Sequence, residues 1–298
     1  MLPAFLTTVC FSLSVVFANQ STRLLGGLTA NFWRIVLATL FLAVWAHGFG
    51  LGLGGGAFGV FFLSGCVGFG LGDVAMYQAL PRLGSRLTIL MVQCLAAPFA
   101  AASEWLWLGT TLSTAQILSG LLILTGVAIA LAPNEHLHLP PPTLARGIFF
   151  GTVAAFGQGF GAVLTRKANQ VAALAGHSVD GGTAAYQRIL GGLLIAALTM
   201  VWLKRRKSFW TGTGVDTPSA TGRDLWRRAL VWVFLNSLAG PTVGVSCYQW
   251  ALRTTPSGVV LPIVATTPLV VIPFTLLFEG DRPGPRSVAG GVVAVVGA

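Results

Sequence analysis

Arg34, Asp73, Glu104, Arg188 and Glu279 are ionisable side chains set inside long apolar runs. A charge at the centre of a bilayer costs about 2.5–3.5 kcal/mol even on lenient insertion scales, so each needs a partner, a route to the headgroups or a task. Arg34 and Arg188 stand near the starts of their runs. Their long stems can carry the guanidinium out to the headgroups, or they can sit at the mouths of a cavity and attract a carboxylate. Asp73 is too short to snorkel. It can pair with an arginine of a neighbouring segment, or it can serve as a site for a proton or a substrate cation. Uncharged polar groups that could line a path are Tyr77, Gln78 and Gln93 in the first half, and Gln158, Gln187, Asn236, Tyr248 and Gln249 in the second.

Gly70-Leu71-Gly72-Asp73 also spells the Gly-x-Gly-Asp of intramembrane aspartyl proteases. That chemistry needs a second aspartate on another span, because one carboxyl acts as base while the other is protonated. The other aspartates, Asp180, Asp216, Asp224 and Asp281, fall in expected loops. No His-Glu-x-x-His, Walker loop or Gly-x-Ser-x-Gly is present. Cys10, Cys66, Cys94 and Cys247 lie in apolar runs without metal-ligand spacing. His136 and His138 form a lone His-x-His, read as part of a solvated linker. No catalytic residue, metal or cofactor is therefore expected.

The elements that must hold these residues follow from composition. The 298 residues are 54% hydrophobic and only 9% charged, with a mean hydropathy of +0.79. Soluble domains carry about 25% charged residues, and one soluble core could not hide this much apolar surface. The chain reads as an all-α polytopic membrane protein. The net charge of +10 sits between the apolar runs, where anionic lipid headgroups rather than nucleic acid are the partner. Spanning runs fall at 3–20, 29–47, 57–80, 87–107 and 113–132, then at 145–165, 183–203, 229–252, 258–279 and 286–298. They are too long and too uniformly apolar for barrel strands. Pro3 to Ala18 resembles the apolar core of a signal peptide, but no Lys or Arg precedes it. It is read as a retained first span. The last run is short, so the tenth helix looks clipped.

Ten spans divide into 1–133 and 145–298, joined by a proline-rich linker at 134–144 whose Pro140-Pro141-Pro142 run should be extended. A basic insert runs from Lys204 to Arg228. The halves repeat. A shift of 172 carries Gly68, Gly72, Ala79, Leu80 and Ser85 onto Gly240, Gly244, Ala251, Leu252 and Ser257. A shift of 154 carries Arg34-Ile35 onto Arg188-Ile189, and one of 170 carries Pro98 and Gly120 onto Pro268 and Gly290. Asp73 has no acidic counterpart, since Val245 stands in its place. A five-span repeat makes an odd number of crossings, so the second copy enters from the opposite side. Inverted repeats of this kind build secondary transporters with a site near the midplane. Tyr77-Gln78 and Tyr248-Gln249 are then expected to face each other across it, and Pro262, Pro268 and Pro273 to kink the ninth span.

This pattern resembles the EamA-type branch of the drug/metabolite transporter superfamily over nearly the whole chain. The matching residues are Arg34 and Arg188, the run from Gly72 to Leu80, Pro98, and Leu108-Gly109 followed by Gln116 and Gly120. The family's usual Glu after Leu-Gly is replaced by Thr110, with Glu104 six residues earlier and Glu279 in a similar place in the second half. The resemblance implies movement of a small, often amino-acid-like metabolite across a cytoplasmic membrane, with both termini inside. The distribution of Lys and Arg between the loops favours both termini outside. A non-transporting scaffold or sensor is the alternative of another class. A homodimer is compatible with the sequence but not required by it.

Overall fold

The computed structural model describes residues 2–108, 113–131, 140–205, 223–254, 260 and 263–297. The pair His136 and His138, Gly109, Thr110, Pro262, the side chain of Glu104 and most of the basic insert lie outside the described residues. Among the described residues every regular element is helical. In order they are α1 (Leu2–Leu25), α2 (Gly27–Gly48), α3 (Phe58–Gly65), a π-helical segment (Cys66–Gly72), α4 (Asp73–Leu108), α5 (Thr114–Leu131), α6 (Pro141–Leu174) and α7 (Gly181–Arg205). Then come α8 (Arg223–Ser237), a second π-helical segment (Leu238–Gly244), α9 (Val245–Thr254), α10 (Thr267–Glu279) and α11 (Pro285–Gly297).

Among the described residues, six helical stretches are long and apolar enough to cross a membrane: Leu2–Leu25, Gly27–Gly48, Phe58–Ser103, Pro141–Leu174, Gly181–Trp202 and Leu225–Arg253. Shorter apolar helices cover Ile117–Ala130, Ile263–Glu279 and Pro285–Gly297. Helix is the form that satisfies every backbone group within one segment, which a lipid environment demands. Large apolar side chains such as Leu40, Val44, Phe149 and Leu277 point outward, as they would toward lipid.

Two glycines turn the chain. Gly26, at φ 77°, is the single residue between α1 and α2. Gly84, at φ 75° and ψ 173°, breaks α4 into two arms. Asp73 and Met76 before the break and Ile89, Val92 and Gln93 after it line one cavity, so the chain doubles back there. An L side chain is strained at such positive φ, and glycine is not. The proline run differs from expectation. Pro140 is extended, with φ −55° and ψ 138°, but α6 begins at Pro141. A proline in the first turn gives up an N–H that has no intrahelical acceptor anyway, so it opens a helix readily.

Packing joins the two halves: α2 lies against α7, the second arm of α4 against α6, and α5 against α11. The seams are lined by small residues. A Cβ on Gly157 would come 2.7 Å from the Cα of Gly72, and one on Gly126 2.3 Å from the backbone N of Ala294. Close approach of this kind gives membrane helices their dispersion contact, because lipid supplies no hydrophobic drive between them.

Polar side chains fasten both ends of the bundle. At one end Glu279 accepts hydrogen bonds from Asn19 Nδ2 at 3.0 Å and Ser85 Oγ at 2.6 Å. Beside it, Arg86 Nε donates to Asp281 at 3.0 Å. At the other end Asp180 caps α7, accepting from the backbone N–H of Gly182 and Thr183, each at 3.0 Å. Trp45 Nε1 donates to the same carboxylate at 2.9 Å, and the Thr183 hydroxyl also bonds it. Partial burial, the largest single influence, pushes this carboxyl up. The bonds from Thr183, Trp45 and Gly182 together outweigh it and hold the carboxyl below its usual range.

Two outcomes follow from this packing. Gly65→Ala would place a Cβ 1.6 Å from the Arg188 carbonyl oxygen, whereas one at Gly59 on the same helix meets nothing within 4 Å. Thermal unfolding in detergent should show Gly65→Ala destabilised by about 1–3 kcal/mol and Gly59→Ala at the wild-type midpoint or above. The stabilisation from Asp180 is complete above the unfolded carboxylate value, about 3.9, and is lost as pH falls through its lower folded value. Asp180→Ala should therefore cost about 1 kcal/mol at pH 7, with the gap to wild type closing in acid melts.

Candidate functional site

Both π segments are seven residues long, and a shift of 172 superposes Cys66–Gly72 on Leu238–Gly244. The doubled glycine pattern of the sequence is thus a doubled π turn. Such turns widen a helix locally and expose backbone at functional sites. Each contributes to one cavity: Gly68, Phe69 and Gly72 from the first, Gly240 and Pro241 from the second. The cavity encloses about 780 Å3, its open mouth included. Its other walls come from α1, α2, both arms of α4, α6, α7 and α9.

Of the sequence candidates, Arg34, Asp73, Gln93, Gln158, Arg188 and Tyr248 line this cavity. Neither arginine reaches the surface: Arg34 is 3% and Arg188 5% exposed. Arg34 Nη2 forms an ion pair with Asp73 and donates to Asn31 Oδ1 at 3.1 Å. Its guanidinium carbon lies 5.1 Å from the centre of the Tyr77 ring. Asp73 thus pairs with an arginine of a neighbouring segment, α2, while still lining the cavity. An ion pair that leaves water needs further contacts to the same charges; here Asn31 supplies a hydrogen bond and the Tyr77 ring a face, while Arg34 Nε has no partner.

Arg188 has a different environment. Its guanidinium carbon lies 5.4 Å from the centre of the Phe69 ring. Its Nε has no hydrogen-bond partner, and no ion pair reaches it among the described residues. Gly68 leaves the room it occupies: a Cβ there would lie 3.1 Å from Arg188 Nη2.

Five of the uncharged polar candidates stand outside the cavity, Asn236 among them. Tyr77 is fully buried behind Arg34, and its hydroxyl accepts from Asn236 Nδ2 at 2.5 Å. Gln78 is tied to Arg82, whose Nη1 lies 3.2 Å from its Oε1. Gln187 Nε2 donates to the carbonyls of Gly52 at 3.0 Å and Gly54 at 2.8 Å, so it fastens the loop between α2 and α3. Gln249 is 2% exposed, with both amide atoms unpartnered. The expected confrontation of Tyr77-Gln78 with Tyr248-Gln249 is not formed, because only Tyr248 turns inward. Conversely, Ser14 lines the cavity and donates to Asn236 Oδ1 at 2.7 Å. Nothing in its apolar setting distinguished it from the small hydroxyl residues around it.

A second, smaller hollow, about 390 Å3 with its open side included, shares Gln93, Gln158, Ala162 and Tyr248 with the cavity and continues along Ala96, Ala97 and Ala100. It leads away from the Glu279 end. For the protease motif, Asp180 and Asp281 are engaged at helix ends. Asp216 and the Asp224 side chain lie outside the described residues.

A model of the EamA-like transporter family matches residues 1–132 and again 145–298. The chain belongs to this family. It is a multi-pass membrane protein of drug/metabolite transporter type. A search of curated proteins gives no match. Solved structures do match. One, titled "Crystal structure of protein", has a TM-score of 0.62 at 16% identity, covering 99% of this chain and 93% of its own. At that identity the likeness is one of fold.

Removing one partner of a buried ion pair strands the other, at about 3–5 kcal/mol. Arg34→Ala and Asp73→Ala should each lower unfolding stability by that order, while the double replacement Arg34→Ala/Asp73→Ala costs less than their sum. A double-mutant cycle in detergent reads this directly.

Proposed function

We propose that this EamA-family protein is a secondary transporter that moves a small metabolite across the cytoplasmic membrane by alternating access. The observation that carries the reading is the cavity between the two matched halves, apolar over most of its wall but holding Arg34, Asp73 and Arg188. It holds charged groups at the π turns, is fastened shut on the Glu279 side and continues as a void toward the other side. That arrangement suits a carrier resting with one gate closed.

The same reading takes the chain as ten crossings in two inverted five-helix repeats. Gly84 then separates the third crossing from the fourth, and α8, the second π segment and α9 make up the eighth. The partnership of α2 with α7, equivalent members of the two halves, supports this arrangement, as does the coincidence of the π segments under one shift. Substrate contact falls to Arg34, Asp73, Gln93, Gln158, Arg188 and Tyr248. Rocking of one helix group against the other would open the Glu279 side and close the void.

The test uses a background lacking Cys10, Cys66, Cys94 and Cys247. Gln93→Cys and Gln158→Cys should react with a membrane-impermeant thiol reagent added in water, and Gln187→Cys should not. Failure of both cavity positions to react from either side of a vesicle would remove the central pathway.

A further inference from the structure

The repeat placed two arginines in one cavity but only one carboxylate. Arg34 is ion-paired with Asp73, which also lies within electrostatic reach of Arg188, whereas the second-half residue equivalent to Asp73 is Val245, which also lines the cavity. Among the described lining residues the ionised groups are Arg34, Asp73 and Arg188. With the tyrosines neutral, the site carries one uncompensated positive charge. The Arg188 side chain is 95% withdrawn from solvent, lines the cavity and takes part in no ion pair among the described residues, although its Nε is left without a partner just as that of Arg34 is.

We infer that the substrate is a monoanion, bound through a carboxylate or a comparable oxyanion to Arg188, and that it carries no ammonium group of its own. This rests on the transporter reading above and narrows its substrate class. A guanidinium presents paired N–H donors in the fork that a carboxylate accepts. The bound anion takes the role in the second half that Asp73 plays in the first, and the loaded cavity becomes neutral. A zwitterion would not do so. Its carboxylate would satisfy Arg188, but its ammonium would restore the excess charge and compete with Arg34 for Asp73. Gln93, Gln158 and Tyr248 remain to bond neutral oxygens of the substrate, and Phe11, Phe69 and Met76 offer it an apolar face.

The decisive variant is Val245→Asp, which supplies the missing carboxylate from the protein itself. In unliganded thermal melts of the full chain it should unfold at a higher temperature than Val245→Asn, which has the same shape and no charge. An ordinary aspartate introduced into an apolar wall would do the reverse, and Val245→Asp melting at or below Val245→Asn overturns the inference. The matched probes are 3-phenylpropionate and L-phenylalanine, which differ only by the ammonium. Wild type should be stabilised by 3-phenylpropionate more than by L-phenylalanine, and Val245→Asp should respond to neither. Arg188→Gln should weaken 3-phenylpropionate binding by at least about ten-fold, the range of a lost charge-assisted bond. Equal or greater stabilisation by L-phenylalanine also overturns the inference. Proteoliposomes separate this from the broader reading. Solute flux together with a destabilised Val245→Asp leaves a transporter with a different substrate class. A stabilised Val245→Asp without any flux leaves an anion site in a protein that does not transport.

Discussion

The contact between Arg34 and Asp73 is the constraint around which the interior is arranged. Either charge alone would be expelled from an apolar bundle or would unfold it. Together they hold α2 against the start of α4, immediately after a π turn. The requirement spreads outward from there. Asn31 and the Tyr77 ring complete the guanidinium's surroundings. Tyr77 is held by Asn236 on α8, and Asn236 by Ser14 on α1. Ser237 adds a 3.1 Å bond to the Arg34 carbonyl. One ion pair thereby fixes the mutual placement of four segments drawn from both halves of the chain.

The rest of the bundle relies on proximity more than polarity. Glycines let the first π segment touch α6 and α7 backbone to backbone, and Gly126 and Gly290 do the same between α5 and α11. Such seams give no direction, so direction comes from the polar fastenings at the two ends. Those fastenings differ in kind. One end is closed by side chains bonding across helices, around Glu279 and Asp281. At the other, Gln187 grips the carbonyls of a loop and Asp180 shares a helix cap with Trp45. A device of the second kind braces a loop without bridging the bundle interior, which is consistent with the void running toward that end.

Much of this was legible in the sequence, and the part that was not has a physical reason. The order of glycines under a shift of 172 marked a duplicated close-packing element, but not that each copy is a π turn, which the glycine pattern alone does not distinguish from an α-helical packing face. Arg34, Arg188 and Asp73 stood out because buried charge is rare. Which glutamines face inward was not legible. Helices that are apolar on every side carry no periodic signal of an inner face, so Gln78, Gln187 and Gln249 looked like Gln93 and Gln158. Ser14 and Asn31 were hidden for a related reason. A hydroxyl in such a helix ordinarily bonds the carbonyl one turn back, as Thr7 and Ser12 do. Asp180 looked like a loop acid, although its place three residues before Thr183 at the head of an apolar run is the spacing of a helix cap.

The paired π segments also have a mechanical side. A helix yields where its ladder of hydrogen bonds is least regular, and π turns are among the places where sharp bends occur. In the second segment Pro241 removes one backbone donor as well. Both weak points face the same cavity, one contributed by each half. The least regular stretches of the backbone are thus gathered around the cavity rather than spread along the helices. A change of bend at these two knees would swing the longer helical arms on either side of them.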